Sequence, residues 1–196
     1  MYRIGFDIGS TTIKAVVLDE ENHICYKSYE RHKAQVRQKA LDKLVELRKY
    51  TKEPFTFAIS GSGAIGLCEQ SVLPFVQEVF ASAMATKKLY PETDCAIELG
   101  GEDAKILFFK GSIEQRMNSQ CAGGTGAFID QMSQLLHMSL EEMNEASLHY
   151  NRIYPIASRC GVFAKSDIQP LINQGVAKSD LCASIFQAVV GQTITS

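Results

Sequence analysis

The sequence has no long run of one charge and no long apolar run. Its 20 lysines and arginines nearly balance 22 aspartates and glutamates, which leaves a formal net charge of −2. Without a broad basic surface, binding to nucleic acid through many phosphate contacts is not expected. No apolar run is long enough to cross a bilayer, and the N-terminus lacks the charged and apolar regions of a signal peptide. We therefore expect a cytoplasmic protein with no nucleic-acid and no membrane partner.

Three common motifs are also missing. The chain has no G-x-x-x-x-G-K-[ST] phosphate loop and no G-x-G-x-x-G after the first predicted strand, which removes the commonest nucleotide-binding folds. Six cysteines are present, but none of them forms a C-x-x-C pair. In a chain without an export signal, they are expected to be reduced thiols rather than a disulfide framework.

What is present is the pattern of an α/β protein. Apolar residues make up 45% of the 196 residues, which is enough for a sizeable core. Apolar alternation and β-branched residues predict strands at 2–9, 13–19, 21–32 and 55–61. Apolar spacing and a proline suited to a first turn predict helices at 35–51 and 73–88. The last third is predicted to be mainly helical, and one of its helices begins with a capping box at Ser139 and Glu142.

The opening pattern of the chain returns 91 positions later. In "YRIGFDIGSTTIKAVVLDEE", an apolar run carries Asp7 and is followed by glycine, polar residues, lysine and a second apolar run. "DCAIELGGEDAKILFFKGSI" repeats this order around Glu98. The interval is too long for a solenoid repeat and instead predicts a duplicated subdomain. We therefore divide the chain into a first subdomain at 1–90 and a second at 91–196, each with one hairpin.

Both hairpins have turns suited to phosphate, because small polar turns can direct successive backbone N–H groups at an anion. In the first hairpin Asp7 is expected to hold Mg²⁺ or its waters, since Mg²⁺ prefers carboxylate, water and phosphate oxygens. The phosphate-binding candidates there are Gly9, Ser10, Thr11, Thr12 and Lys14. In the second hairpin the turn candidates are Gly100 and Gly101, and the acids are Glu98, Glu102 and Asp103. Neither hairpin is diagnostic alone, because a purely structural hairpin can have the same turn.

A glycine-rich segment, "NSQCAGGTGAF", leads into a predicted helix that begins with "GAFIDQMSQLL". Glycine-rich turns at helix starts commonly bind phosphate. The further candidates for nucleotide contact are therefore Gly123, Gly124, Thr125 and Gly126. Two hairpins about 90 residues apart, followed by such a helix start, are far more specific than any one of the three features.

Two of the six cysteines occupy similar positions. Cys121 and Cys160 each precede a glycine and an apolar helical stretch, and a helix N-terminus favours the thiolate form that binds iron. A [4Fe–4S] cluster needs four ligands, so one chain would supply half of them and a symmetric dimer the rest. On residue chemistry alone, zinc binding and structural thiols remain open. The other four cysteines, Cys25, Cys68, Cys95 and Cys182, are expected to be small buried residues.

Four segments carry a resemblance to a known family. The order of the hairpins resembles the acetate kinase, sugar kinase, Hsp70 and actin superfamily. Within it, "GFDIGSTTIKAVVLD", "IELGGEDAKILFF", "NSQCAGGTGAFID" and "ASRCGVFAKSD" resemble the activators of 2-hydroxyacyl-CoA dehydratases and related benzoyl-CoA reductase subunits, the BadF-BadG-BcrA-BcrD ATPases. The resemblance runs from residue 3 to the end, and the two cysteine motifs are its most specific part. It implies an actin/Hsp70/ribonuclease H-like fold, with mixed sheets and flanking helices.

The resemblance also implies a function. It indicates a homodimeric ATPase that holds one [4Fe–4S] cluster between its subunits through Cys121 and Cys160 of each. ATP hydrolysis would be coupled to the transfer of one low-potential electron into a 2-hydroxyacyl-CoA dehydratase, with reduced ferredoxin or flavodoxin as the donor. ATP or ADP and Mg²⁺ would be the other cofactors, and Asp7, Glu98 and Asp103 the catalytic carboxylates.

The sequence departs from the family pattern in three respects. Glu98 and Glu102 replace the more usual aspartate and glutamine, and the Gly123-Gly124 pair replaces Ala-Gly. Family members continue into an adenosine-binding Gly-Gly motif and a closing helix, which this chain lacks. The chain is therefore expected to be the N-terminal piece of a longer activator-like protein, with an incomplete second subdomain. Two other functions remain open: a small-molecule kinase of the same fold, in which the cysteines have no role, and a non-catalytic docking domain.

Overall fold

The structure is a computed structural model that describes residues 1–69, 72–118, 123–157 and 161–195. Its residues form two compact units, Met1–Thr93 and Asp94–Ser196. The strands of the first unit are β1 (Tyr2–Ile8), β2 (Thr12–Leu18), β3 (Ile24–Arg31) and β4 (Phe55–Ser60). They form one sheet in the order β3-β2-β1-β4, in which β1, β2 and β3 are antiparallel and β4 is parallel to β1. Its helices are α1 (Val36–Leu47), α2 (Ile65–Cys68) and α3 (Glu78–Leu89), with short 3₁₀ turns at Arg48–Lys52 and Ser62–Ala64.

Alternation in β1 and β2 gives the first sheet one apolar and one polar face. On the apolar face, the buried core contains Ile4, Phe6, Ile8, Ile13, Ala15 and Val17, together with Ala40 and Leu47 of α1. Because successive side chains of a strand point to opposite faces, Asp7 and Lys14 stand on the other side of the sheet. The core residues of β1 and β2 therefore also determine the face of the sheet on which the candidate site lies.

The turn after β4 lies directly against the end of β1. Gly61 has a φ of 96°, and a Cβ at this position would overlap the carbonyl oxygen of Ile8 and lie 2.6 Å from Asp7 Oδ1. A Cβ at Gly63 would approach the carbonyl oxygen of Gly9 to 3.1 Å. Only glycine combines this positive φ with such a close backbone approach. The two glycines thus bring the β4 turn beneath the first candidate hairpin.

Replacing Gly61 with alanine is expected to lower the free energy of unfolding by about 3 kcal/mol, since it adds backbone strain and a backbone overlap. Urea denaturation would measure the change. Gly66→Ala is the matched control, because among the described residues no atom beyond its chain neighbours and its own helix backbone lies within 4 Å of the Cβ position at Gly66. In the short helix α2, the control should be neutral or raise stability by up to about 1 kcal/mol. Equal effects of the two substitutions would contradict a specific role for Gly61.

In its described residues, the second unit forms a three-stranded antiparallel sheet and four helices. Its strands are β5 (Cys95–Leu99), β6 (Ala104–Phe108) and β7 (Glu114–Asn118), which pair in that order. The helices are α4 (Gly126–Leu136), α5 (Leu140–Ser147), α6 (Gly161–Asn173) and α7 (Lys178–Ile194). Their shared core is built around Phe128, Met132, Met143, Ile168, Leu181 and Ile185. The predicted capping box is present, because Ser139 and Glu142 exchange side-chain and backbone hydrogen bonds.

Two features of secondary structure differ from the sequence-based expectation. The helix predicted at 73–88 begins only at Glu78, because the Ile59 N–H donates to the Pro74 carbonyl and the Val76 N–H to the Ile59 carbonyl. That pairing keeps the segment before α3 extended beside β4. Strand β7 was not predicted, because its sequence "EQRMN" is polar and its pairing with β6 depends on backbone hydrogen bonds.

Candidate functional site

The first hairpin places Asp7 and Lys14 opposite each other. They are cross-strand partners on β1 and β2, and Lys14 Nζ lies 2.6 Å from Asp7 Oδ2. The connecting turn is closed by a 2.9 Å hydrogen bond from the Gly9 N–H to the Thr12 carbonyl. Both charged side chains are about one-third exposed, so they remain accessible to a ligand. The acidic side chain and the lysine side chain of this hairpin are therefore in direct contact.

The same face of the sheet carries a row of polar side chains across all four strands. Asp7 is in register with Ser60 of β4, and Lys14 is in register with Tyr29 of β3. The Lys14 ammonium also lies 5.5 Å from the centre of the Tyr29 ring, which is a cation–π distance. We call Tyr29, Lys14, Asp7 and Ser60 the polar row. Its two middle members were candidates from the sequence, whereas the two outer ones were not, because their roles depend on strand pairing.

Two atoms of the polar row are buried without a hydrogen-bond partner. Within the described part of the chain, neither Asp7 Oδ1 nor Ser60 Oγ is paired, although Ser60 is only 9% exposed. Buried polar atoms are normally satisfied by protein, ordered water or ions. A carboxylate oxygen is a preferred donor to Mg²⁺, so the Asp7 side chain fits a metal ion or a metal-bound water.

His32 is hydrogen-bonded to the turn of the first hairpin. Its backbone N–H donates to the Thr11 carbonyl, and its Nε2 lies 3.1 Å from the Gly9 carbonyl oxygen. The Ala34 N–H donates to Nδ1, so Nε2 carries the proton that is donated to Gly9. These contacts leave His32 buried. Sequence spacing gave no signal for this contact, because it joins residues from distant positions in the chain.

The second hairpin repeats the first at a constant offset of 91 residues. Glu98 and Lys105 are cross-strand partners on β5 and β6, as Asp7 and Lys14 are on β1 and β2. The Gly100 N–H donates to the Asp103 carbonyl at 2.8 Å, the counterpart of the turn bond from Gly9. In this hairpin Lys105 Nζ also lies 3.3 Å from Asp103 Oδ2.

Helix α4 begins directly on the turn of the second hairpin. The N–H groups of Gly126 and Ala127 donate to the carbonyls of Gly100 and Gly101, at 2.8 and 3.2 Å. These two helix-start amides are thus used within the protein. Thr125 is fully buried just before them. The turn and the helix are therefore one hydrogen-bonded element.

Gly124, just before this helix start, packs against the last helix. Gly124 has a φ of 80°, and a Cβ there would lie 2.8 Å from Gln192 Cγ of α7. Gly123 and Gly124 are both buried. The predicted cluster ligands Cys121 and Cys160 lie outside the described residues.

The segment that leads to position 160 is held by side chains of α6 and α7. Asp180 Oδ1 accepts hydrogen bonds from the N–H groups of Asn151 and Arg152, at 2.7 and 3.2 Å. The hydroxyl of Ser184 accepts one from Tyr154, and the Asp167 carboxylate accepts one from Ala157. These contacts fix the backbone of residues 151–157 against α6 and α7. The sequence alone gave no signal for the roles of Asp167, Asp180 and Ser184.

The remaining cysteines are less uniform than expected. Cys182 is fully buried, and burial raises the pKa of its thiol, which makes it an inert core residue. Cys68 is partly buried, but Cys25 and Cys95 are exposed, contrary to the expectation for all four. Both exposed cysteines occupy the outward positions of alternating strands. In the described ranges, no three histidine, cysteine or acidic side chains are grouped as a metal site, and no helix has the length and apolarity needed to cross a membrane.

The fold and the repeated hairpins define a class of protein. Both units combine a sheet with flanking helices and carry a hairpin with an acid, a turn and a lysine in the same order, which is the arrangement of the actin/Hsp70/ribonuclease H-like proteins. The predicted fold class is thereby confirmed, as the similarity to solved structures described next also shows.

The comparisons with known proteins identify the family. The model of the BadF/BadG/BcrA/BcrD ATPase family matches residues 4–195, and the chain belongs to that family. The activator of lactoyl-CoA dehydratase from Anaerotignum propionicum is 31% identical over 202 residues, covering 98% of this chain and 76% of the relative. The suspected resemblance is thus confirmed, and so is the prediction of an ATPase.

Two solved structures have closely similar folds. The activator of the 2-hydroxyisocaproyl-CoA dehydratase from Clostridium difficile, with bound ADPNP, has a TM-score of 0.88 and 27% identity, covering 100% of this chain and 74% of that chain. Component A of the (R)-2-hydroxyglutaryl-CoA dehydratase from Acidaminococcus fermentans has a TM-score of 0.84 and 25% identity, covering 100% and 77%.

Proposed function

We propose that this chain belongs to an ATP-dependent activator that delivers a low-potential electron to a 2-hydroxyacyl-CoA dehydratase or a related CoA-ester reductase. The proposal is supported by the family and by three relatives, each an activator or an activating component of a 2-hydroxyacyl-CoA dehydratase. Exposed free thiols among the described cysteines are typical of a reducing compartment, and we place the activity in the cytoplasm.

The two hairpins are the proposed phosphate-binding elements. In the first, Lys14 would neutralise phosphate charge and Asp7 would hold Mg²⁺ or a water bound to it, with turn contacts from Gly9, Ser10, Thr11 and Thr12. In the second, the turn contacts would come from Gly100 and Gly101, with Glu98 and Asp103 as the acids that orient the attacking water. Water attacks the terminal phosphorus and the bond to ADP breaks, so that ATP and water give ADP and phosphate. Mg²⁺ would neutralise phosphate charge during this reaction.

Cys121 and Cys160 are the proposed ligands of a [4Fe–4S] cluster shared by two subunits. When bound, the cluster would supply one-electron redox chemistry between reduced ferredoxin or flavodoxin and the acceptor. Two thiolates from each subunit provide the four ligands, and the symmetric arrangement requires a homodimer.

One observation carries the proposed coupling between ATP and electron transfer: helix α4 is hydrogen-bonded to the second hairpin through Gly126 and Ala127. Cys121 lies only five residues before Gly126 in the sequence. A shift of the Gly100-Gly101 turn on nucleotide exchange would therefore be transmitted to the start of α4, and from there to the segment that contains Cys121. The main role of residues 123–126 would be to connect the second hairpin to the segment that contains Cys121. Phosphate binding by the Gly126 amide is not expected, since this N–H already donates to the Gly100 carbonyl.

The decisive experiment combines the anaerobically purified protein with lactoyl-CoA dehydratase, reduced ferredoxin, and either ATP or a non-hydrolysable analogue. We expect dehydratase activity only with ATP, because hydrolysis is needed for the electron transfer. ATP consumption that requires a small phosphoryl acceptor would favour the kinase alternative. Binding of the dehydratase without activation, by a protein with its iron present, would favour a docking domain.

A further inference from the structure

Ser60 occupies a position that the proposed chemistry has not yet used. It is the last residue of β4, and the parallel register puts it beside Asp7 of β1, on the polar face of the sheet. Both residues lie at the carboxyl ends of neighbouring parallel strands. In open α/β sheets, ligands bind at this edge. Ser60 is therefore at the place where a ligand of Asp7 would also be within reach of the β4 side chain.

Asp7 and Ser60 each have one buried side-chain oxygen without a hydrogen bond in the described part of the chain. Lys14 occupies Asp7 Oδ2, whereas Asp7 Oδ1 and Ser60 Oγ have no partner among the described residues. Leaving such groups buried and unpaired is unfavourable, because each has lost its hydrogen bonds to water. A hydroxyl can donate one hydrogen bond and accept others, so a single water could satisfy both atoms.

The chain around Ser60 keeps this arrangement rigid. The close approach of Gly61 to the Ile8 carbonyl and to Asp7 Oδ1 leaves no room for a side chain beneath the carboxylate. On the other side of Ser60, the N–H and carbonyl of Ile59 are both hydrogen-bonded to the 74–76 segment. The backbone of Ser60 is thus fixed from both directions, and its hydroxyl is held at the edge of the first hairpin.

We propose that Ser60 is a positioning residue of the nucleotide site, and that its hydroxyl and Asp7 Oδ1 together hold one water ligand of the nucleotide-bound Mg²⁺. The inference rests on the proposed function, because it requires a metal–nucleotide complex at Asp7. Mg²⁺ characteristically keeps several of its waters in proteins, and groups that orient such ligands strongly affect metal affinity. Ser60 would contact a metal-bound water, and neither the phosphate nor the metal directly. Its loss should therefore weaken metal binding and leave the affinity for the metal-free nucleotide unchanged.

The test compares Ser60→Ala and Ser60→Thr with Ser28→Ala. Ser28 of β3 is a suitable control, because its hydroxyl is also buried and unpaired among the described residues but lies outside the polar row. Mn²⁺ replaces Mg²⁺ as the probe, and electron paramagnetic resonance measures its dissociation constant on the full chain with ADP present. We expect Ser60→Ala to raise this constant about 10-fold, as is typical when a group orienting a metal ligand is lost. Ser60→Thr should restore it to within about 3-fold, and Ser28→Ala should not change it.

A second measurement separates positioning from a general structural effect. Calorimetric titration with ADP and a chelator gives the affinity for the metal-free nucleotide, which Ser60→Ala should leave unchanged. An equal loss in both measurements would overturn the inference, and so would unchanged Mn²⁺ affinity. In either case Mn²⁺–ADP binding by the unsubstituted protein would leave the proposed function standing, whereas no such binding would refute both. If Ser60→Ala does not fold, Ser60→Cys, which keeps nearly the same volume and hydrogen-bonds weakly, takes its place with the same expectation.

Discussion

Replacing Cys121 or Cys160 with serine is expected to leave the anaerobically purified protein without iron. The unsubstituted protein should contain about two iron atoms per chain and show a brown colour, because one four-iron cluster is shared by two chains. A serine hydroxyl is a poor substitute for a thiolate on iron, so loss of one ligand in each subunit removes two of the four. Iron analysis and the visible spectrum measure the effect, and size-exclusion chromatography should show loss of the dimer.

Cys95→Ser provides the matched control for this experiment. Cys95 lies in the same unit, is exposed and occupies an outward position of β5, so its substitution should change neither iron content nor oligomeric state. A colourless unsubstituted protein without iron would refute the cluster. Full retention of iron in the Cys121 and Cys160 variants would show that other residues hold it.

Replacing Asp7 with asparagine is expected to lower the rate of ATP hydrolysis roughly 100-fold or more, since loss of a group that orients a metal ligand already costs 10- to 100-fold. The substitution keeps the size of the side chain but removes its charge. Lys14 then loses its ion pair, and the candidate oxygen for Mg²⁺ becomes part of a neutral amide. Release of phosphate should be measured with the dehydratase present, because ATP hydrolysis by the proposed activator is expected to be slow without its partner.

Asp42→Asn is the control for the Asp7 variant. Asp42 is an exposed acid on α1 that accepts a hydrogen bond from Gln38, far from the hairpin in sequence and not part of the polar row. Its substitution should leave hydrolysis unchanged. If the Asp7 variant hydrolyses ATP within 3-fold of the unsubstituted rate, Asp7 does not contact the metal or its waters.

The sequence was most informative where function depends on short segments. Local patterns were enough to find the pair Asp7 and Lys14, and also the Gly100 turn with Asp103. The reason is that a hairpin brings together residues that are close in the chain. The 91-residue repeat could be read from the sequence for the same reason, since both hairpins repeat the same local order. The start of α4 at Gly126 and the capping box at Ser139 also depend only on neighbouring residues.

Contacts between distant segments could not be read in this way. His32 reaches the Gly9 carbonyl from the end of β3, and the polar β7 is a strand only because β6 offers it hydrogen bonds. The late start of α3 has the same cause, since the Pro74 segment pairs with Ile59. In each case a partner far along the chain overrides the local preference.

The sequence by itself determined the family, the two hairpins proposed to bind phosphate and the cysteine pair proposed to bind iron, because each depends on residue identity at short spacing. Only the tertiary structure decided that Ser60 stands beside Asp7, and that the Gly100-Gly101 turn is bonded to the start of α4. The physical reason is that strand register and backbone hydrogen bonds between distant segments follow from packing. No local pattern specifies which carbonyl of a distant segment an N–H will meet.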